Sequence, residues 1–212
     1  KYSEVNPPKK IPRTSALFKG LFPQQIQVLE KIARAKKGSA VSLSLGGGKF
    51  LISMLAPIIK KSKNTLLIVP PKLYEQTISY RMDWIQLIPE IGDVSLSVIS
   101  TGEISSAKFS DFLDSNDFDM IIIDECQDFR NKTSARAKRL KRYLEEKKPI
   151  LLLLTATFFT RSFSDLWLTK YVSNEPTIPS SLLYIDIFDS IISKRVSRFP
   201  IPESELINEL HD

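Results

Sequence analysis

The sequence predicts an α/β fold: one open, doubly wound, mostly parallel sheet with helices on both faces. Three observations carry this. Short, continuous apolar runs at 65–69, 118–124 and 150–155 have the length of strands buried on both sides. Segments of helical periodicity separate them, which is the βαβ rhythm of a parallel sheet. The chain has 212 residues, enough for one sizeable α/β core.

The elements follow in order. Residues 1–20 hold Pro7, Pro8, Pro12 and several lysines, and read as an irregular arm. In 23–35, Ile26, Leu29, Ile32 and Ala33 repeat on one helical face, with Pro23 suited to the first turn. A short strand is expected at 40–44. A helix follows at 49–60, with Pro57 as a kink or stop. The strand 65–69 is closed by Pro70 and Pro71 and leads into a helix at 73–87. Next come a strand at 94–99, a helix at 106–113, a strand at 118–124, a basic helix at 134–146, a strand at 150–155 and a helix at 163–172. A further helix is read at 182–196, then a linker around Phe199-Pro200-Ile201-Pro202. The expected division is an arm at 1–20, a main unit at 21–176 and a helix-plus-linker at 177–212.

Composition excludes some classes. A single cysteine, Cys126, allows no internal disulfide and points to a reducing intracellular compartment. No apolar run approaches the roughly 20 residues of a membrane span. The net charge of +6 permits a polyanionic partner without demanding one. The chain opens on Lys1 rather than Met, the pattern of a fragment or processed product, and shows no signal peptide.

Three stretches carry chemistry. In "SLSLGGGKF" (42–50), Gly46, Gly47 and Gly48 stand between a strand and a helix. Such a backbone turns its N–H groups toward phosphate oxygens, the helix adds its positive end, and Lys49 reaches the β and γ phosphates. Alone, the pattern also fits a tight turn. In "FDMIIIDECQD" (118–128), Asp124 and Glu125 end a buried strand, where one acid holds Mg²⁺ and the next orients and deprotonates the attacking water. Alone, two acids also fit the start of a solvated loop. In "LLLLTATFF" (151–159), Thr155, Ala156 and Thr157 end a strand with small hydroxyls suited to relaying the nucleotide's state; a capped strand end fits as well.

Together, and in this order, the pieces resemble the first RecA-like lobe of superfamily-two helicases and translocases. Within them the match is to the Swi/Snf-type branch, which includes viral members. Asp124-Glu125-Cys126-Gln127 resembles the Asp-Glu-x-His/Gln box, and 151–167 resembles the Leu-Leu-Thr-x-Thr-Pro stretch with its later Leu-Trp, here Leu166-Trp167. "LLIVPPKLYEQTISYRMDW" resembles the element contacting the nucleic-acid backbone, and "FPQQIQVLE" the helix whose glutamine reads adenine. The likeness spans about Phe22 to Val172. It implies a RecA-like, phosphate-loop NTPase fold, with ATP and Mg²⁺ as cofactors and double-stranded DNA as partner. It implies that Lys49 binds phosphates, Asp124 holds the metal, Glu125 acts as base and Gln25 selects adenine, with Gln24 the fallback. Pro71 and Lys72 and the loop Ser100-Thr101-Gly102 become the backbone contacts, although Pro71-Lys72 also fits a plain strand-to-helix turn.

The departures are specific. Phe50 stands where the family has Thr or Ser, so the usual hydroxyl ligand to Mg²⁺ is missing. Phe158 replaces a proline, and Thr160-Arg161 a common Gln-Asn pair. After Val172 about forty residues remain, too few for the second RecA-like lobe that supplies the arginine finger. The sequence therefore predicts an ATP-binding lobe of a DNA translocase, nearly inactive alone. A degenerate module binding DNA or a protein is the alternative, and another phosphate-loop enzyme such as a small-molecule kinase is the third. The basic helix at 134–146 reads as a solvated outer face, Trp84 and Trp167 as core, Cys126 as a buried small residue, and His211 as part of a polar tail.

Overall fold

The computed structural model describes residues 21–43, 46–156 and 163–172. The readings placed on the arm, on Ser44, on Thr157, Phe158, Thr160 and Arg161, and on everything after Val172 lie outside them.

Five parallel strands form one sheet: β1 (Gly38–Ser42), β2 (Thr65–Val69), β3 (Leu96–Ser100), β4 (Met120–Asp124) and β5 (Ile150–Thr155), in the spatial order β1-β5-β4-β2-β3. The chain crosses the sheet from β1 to β2 and β3, then turns back to β4 and β5. With right-handed crossovers, that reversal sends the connecting helices to opposite faces. On one face lie α1 (Pro23–Arg34), α2 (Lys49–Lys60) and α3 (Tyr74–Leu87). On the other lie α4 (Ala107–Asp114) and α5 (Ala135–Lys147).

The strands show why each had to be apolar throughout. Leu67, Val69, Met120, Ile122, Leu152 and Leu154 point into the core under α1 and α2. Their neighbours Leu66, Ile68, Ile121, Ile123, Leu151 and Leu153 point into the core under α4 and α5. A strand alternates faces with a period of two, so a strand covered on both sides needs both sets.

Most predicted elements stand, with shifted ends. β1 begins and ends two residues early, β3 begins two residues late, and β4 begins at Met120. Phe118 is outside the ladder because its N–H donates to the Tyr143 hydroxyl at 2.7 Å. The α2 helix runs on through Pro57 and stops at Lys61, which takes a left-handed cap at φ 54°. A 3₁₀ turn at Pro71–Leu73 precedes α3. The segment Phe163–Tyr171 is 3₁₀ rather than α. Leu168 and Tyr171, three residues apart, both pack on the α4/α5 core, which suits a helix of three residues per turn. Trp167 is buried there, and its indole N–H donates to the Phe129 carbonyl at 2.7 Å. No described helix is long and apolar enough to cross a membrane.

Candidate functional site

Parallel strands share one carboxyl edge, and nearly every residue singled out in the sequence falls on it. Register places Ser42 beside Thr155, Leu154 beside Asp124, and Val69 beside Ser100. The glycine loop, the acid box, Pro71-Lys72 and Ser100–Gly102 each lie at or just past the end of a strand. This edge, where the strand order reverses, is where open α/β sheets bind ligands.

The glycine loop is built for close approach. Gly46 and Gly48 have φ of 78° and 83°, conformations that L side chains rarely adopt. Gly48 is the N-cap of α2, whose first-turn N–H groups have no acceptor within the helix. Gln25 lies against this loop. Its Nε2 donates to the Gly47 carbonyl at 3.3 Å, and its Oε1 accepts from the Phe22 N–H at 3.0 Å. The φ of Gly48 is what calls for glycine there, and a Cβ would also push the Gln25 amide aside.

Lys49 turns from the start of α2 toward the acid box. Its Nζ lies 3.3 Å from Glu125 Oε1, and both side chains are mostly buried, at 11% and 20% exposure. Glu125 itself sits at φ 52° and ψ 57°, left-handed backbone for a residue with a side chain. Such a conformation costs on the order of 1 kcal/mol and persists where the surroundings hold it. Here the holding groups are visible. Its other carboxylate oxygen accepts from Gln127 Nε2 at 2.6 Å, and Gln127 Oε1 accepts from the Thr155 hydroxyl at 2.7 Å. A chain of four side chains thus runs from the glycine loop to the end of β5. Asp124 accepts the Glu125 N–H at 3.0 Å. Burial, and then the neighbouring Glu125 charge, push its pKa up to about 6, while the Lys49 cation opposes this. Ala156, half-buried after β5, accepts from the Ser42 hydroxyl at 3.5 Å.

Cys126 is half-buried against the α4/α5 core, and burial pushes its thiol up to about 12. It stays a neutral thiol, in keeping with a packing role rather than a nucleophile.

Phe50 turns away from the loop. Its ring packs on the α1/α2 core and meets Tyr80 of α3 edge-on, with centroids 5.8 Å apart and planes at 81°. The nearby described hydroxyls each donate within the protein. Ser53 donates to the Phe50 carbonyl at 2.6 Å, Ser42 to Ala156 and Thr155 to Gln127. Among the described residues, no group of three or more His, Cys, Asp or Glu side chains is disposed to hold a metal ion. Asp124 is a suitable oxygen donor, but the residues present do not make the paired carboxylate-and-hydroxyl magnesium site of a phosphate-loop enzyme.

Farther along the same edge, Pro71 and Lys72 are exposed at the start of the 3₁₀ turn. A methyl on Gly102 would lie 3.7 Å from Pro71 Cγ and from Ser100 Oγ, so the two loops abut. Ser100 and Glu103 cap each other's turn. The Glu103 carboxylate accepts from the Ser100 N–H at 2.7 Å and its hydroxyl at 2.8 Å. Thr101 is buried, with its N–H donating to the Val69 carbonyl at 2.8 Å, so this loop presents Ser100 and Gly102 outward rather than Thr101.

The α5 face is solvated as the sequence suggested, with Lys138, Lys141 and Arg142 exposed, and two of its arginines also make surface contacts. Arg139 donates to the carbonyls of Ile104 and Ser105 at 3.1 and 2.7 Å, and Arg142 binds both carboxylate oxygens of Asp114 at 2.7 and 2.9 Å. These arginines tie α5 to the segment before it. Lys138 remains exposed. The sequence reading assigned no role to Gln127, Tyr80 or Glu103. The Ser-x-x-Glu spacing at 100–103 is a visible capping signal, and Gln127 closes the acid box already quoted, whereas nothing local marks Tyr80.

No family model matches this sequence, and no curated protein does. Among solved structures, the chain is similar to the Sulfolobus solfataricus SWI2/SNF2 ATPase core in complex with double-stranded DNA. The TM-score is 0.63 at 16% identity, over 99% of this chain and 45% of that one. The likeness shows a RecA-like fold of the kind found in that ATPase core, and the chain spans less than half the length of its neighbour.

Proposed function

We propose that this chain is the ATP-binding lobe of a double-stranded-DNA translocase of Swi/Snf type, completed by a second RecA-like lobe. The observation that carries the reading is the shared carboxyl edge. It gathers the glycine loop, Lys49, Asp124, Glu125 and Thr155 at one end, and Lys72 with Ser100–Gly102 at the other. The neighbour's complex with double-stranded DNA supports the choice of partner.

In this reading the backbone of Gly46, Gly47 and Gly48 and the start of α2 take the phosphates. Lys49 leaves Glu125 and turns to the β and γ phosphates. Glu125, still held by Gln127, is then free to accept a proton from water. The Gln127–Thr155 bond carries the change to the end of β5, where Thr155 and Ala156 pass it to a neighbouring surface. Gln25 keeps one amide hydrogen and one oxygen lone pair beyond its two present bonds. That pair of groups matches the N6–H donor and N7 acceptor of adenine. Catalysis at such sites is mostly positioning and electrostatics, so the second lobe supplies most of the rate. Pro71, Lys72, Ser100 and Gly102 follow the DNA backbone without reading bases.

A second reading, a module that binds nucleotide or DNA without hydrolysis, is favoured by one observation: Phe50 at the hydroxyl position. ATP hydrolysis by the protein, with and without duplex DNA, decides. Stimulation by DNA that disappears in Lys49→Ala and Glu125→Gln supports the translocase. Nucleotide binding without turnover under any DNA condition supports the second reading.

A further inference from the structure

We infer that this glycine loop binds adenine nucleotide largely independently of magnesium, and that Phe50 is the residue responsible. The inference rests on the proposed nucleotide site and names its metal requirement.

In a phosphate loop with Ser or Thr after the lysine, the metal is gripped by that hydroxyl on one side and joined to the β and γ phosphates on the other. The protein then binds the metal–nucleotide complex better than the bare nucleotide. Much of that preference comes from the protein ligand at position 50. Here the position holds a benzyl group, and the structure shows where it goes. The half-buried ring packs against the α1/α2 core and edge-on to Tyr80, so it neither ligates nor obstructs the phosphate side. Among the described residues no group of three or more His, Cys, Asp or Glu side chains stands in for the missing hydroxyl, and Ser53, the one hydroxyl of α2, is buried a turn farther on against the Phe50 carbonyl. The phosphate-binding groups, by contrast, are untouched by the change. The left-handed glycines at 46 and 48, the free N–H groups at the start of α2 and the Lys49 ammonium act on phosphate oxygens directly. Any magnesium would therefore be carried in on the nucleotide, with Asp124 the suitable carboxylate beside the loop.

The test is equilibrium binding of a fluorescent ATP analogue to the protein in excess magnesium and in excess EDTA. The expected result is binding in both, with affinities within about three-fold. Losing even a partner that only orients a metal ligand typically costs about 10- to 100-fold in metal affinity. Phe50→Thr, which restores a direct ligand, should therefore create a magnesium preference of about ten-fold or more. Phe50→Leu keeps an apolar group without a hydroxyl and should behave as the unchanged protein. It also reports whether trimming the ring disturbs the fold. A ten-fold or greater loss in EDTA for the unchanged protein overturns the inference while leaving the nucleotide site standing. Absence of binding in both conditions, unaltered by Lys49→Ala, overturns the site and the inference together.

Discussion

Replacing Asp124 by Asn should stabilise the nucleotide-free, metal-free protein at neutral pH and do little in acid. The carboxyl is largely buried at the end of β4, beside Glu125, and its pKa is raised from 3.8 to about 6. A folded-state pKa above the unfolded value means that the folded chain holds its proton more tightly. The penalty is absent below about pH 4, grows as pH rises through the window between the two values, and is complete above about pH 6. At neutral pH it amounts to about 3 kcal/mol against the charged form. Asn removes the charge and keeps the side-chain oxygen that accepts the Glu125 N–H. Urea unfolding followed by tryptophan fluorescence, at about pH 7.5 and about pH 4 in EDTA, measures the difference. The expected gain is up to about 3 kcal/mol at the higher pH and close to none at the lower. For a protein of this size each kcal/mol moves Tm by about 2–4 °C. A variant no more stable than the parent at the higher pH, or equally stabilised at both, would refute the reasoning. The sign is the point: an acid held at a cost to the fold serves a task other than folding.

Two further outcomes follow from the site. Without a second lobe the isolated chain should hydrolyse ATP far below the usual enzyme range of about 1 to 1,000 per second; a steady-state assay giving turnover inside that range would mean the architecture is misread. DNA binding should be insensitive to sequence and fall steeply with salt, and Lys72→Glu should weaken it more than Lys138→Glu in fluorescence-anisotropy titrations. The opposite ranking would move the DNA track onto α5.

Much of the fold was legible because its signals are local. Three apolar runs marked strands, and their continuous apolarity required cover on both faces, which the two separate cores under α1/α2 and α4/α5 bear out. The element ends were less legible. Whether Phe118 joins β4 depends on Tyr143, twenty-five residues away, taking its N–H. The 3₁₀ form of Phe163–Tyr171 likewise reflects what Leu168 and Tyr171 pack upon.

The same division holds in the site. The sequence by itself determined which groups stand at the ends of strands: three glycines and a lysine after β1, two acids after β4, Thr155 at the end of β5. It also determined that position 50 has no hydroxyl, since composition at a motif position needs no coordinates. Only the tertiary structure decided that the Phe50 ring turns to Tyr80 instead of the phosphates. It alone paired Lys49 with Glu125 and linked Gln127 to Thr155. It also gave Arg139 and Arg142 their partners on that solvated face. Periodicity and spacing act over two to five residues, whereas a side chain's direction is set by whichever distant group offers it burial or a partner. That information enters when the strands come into register.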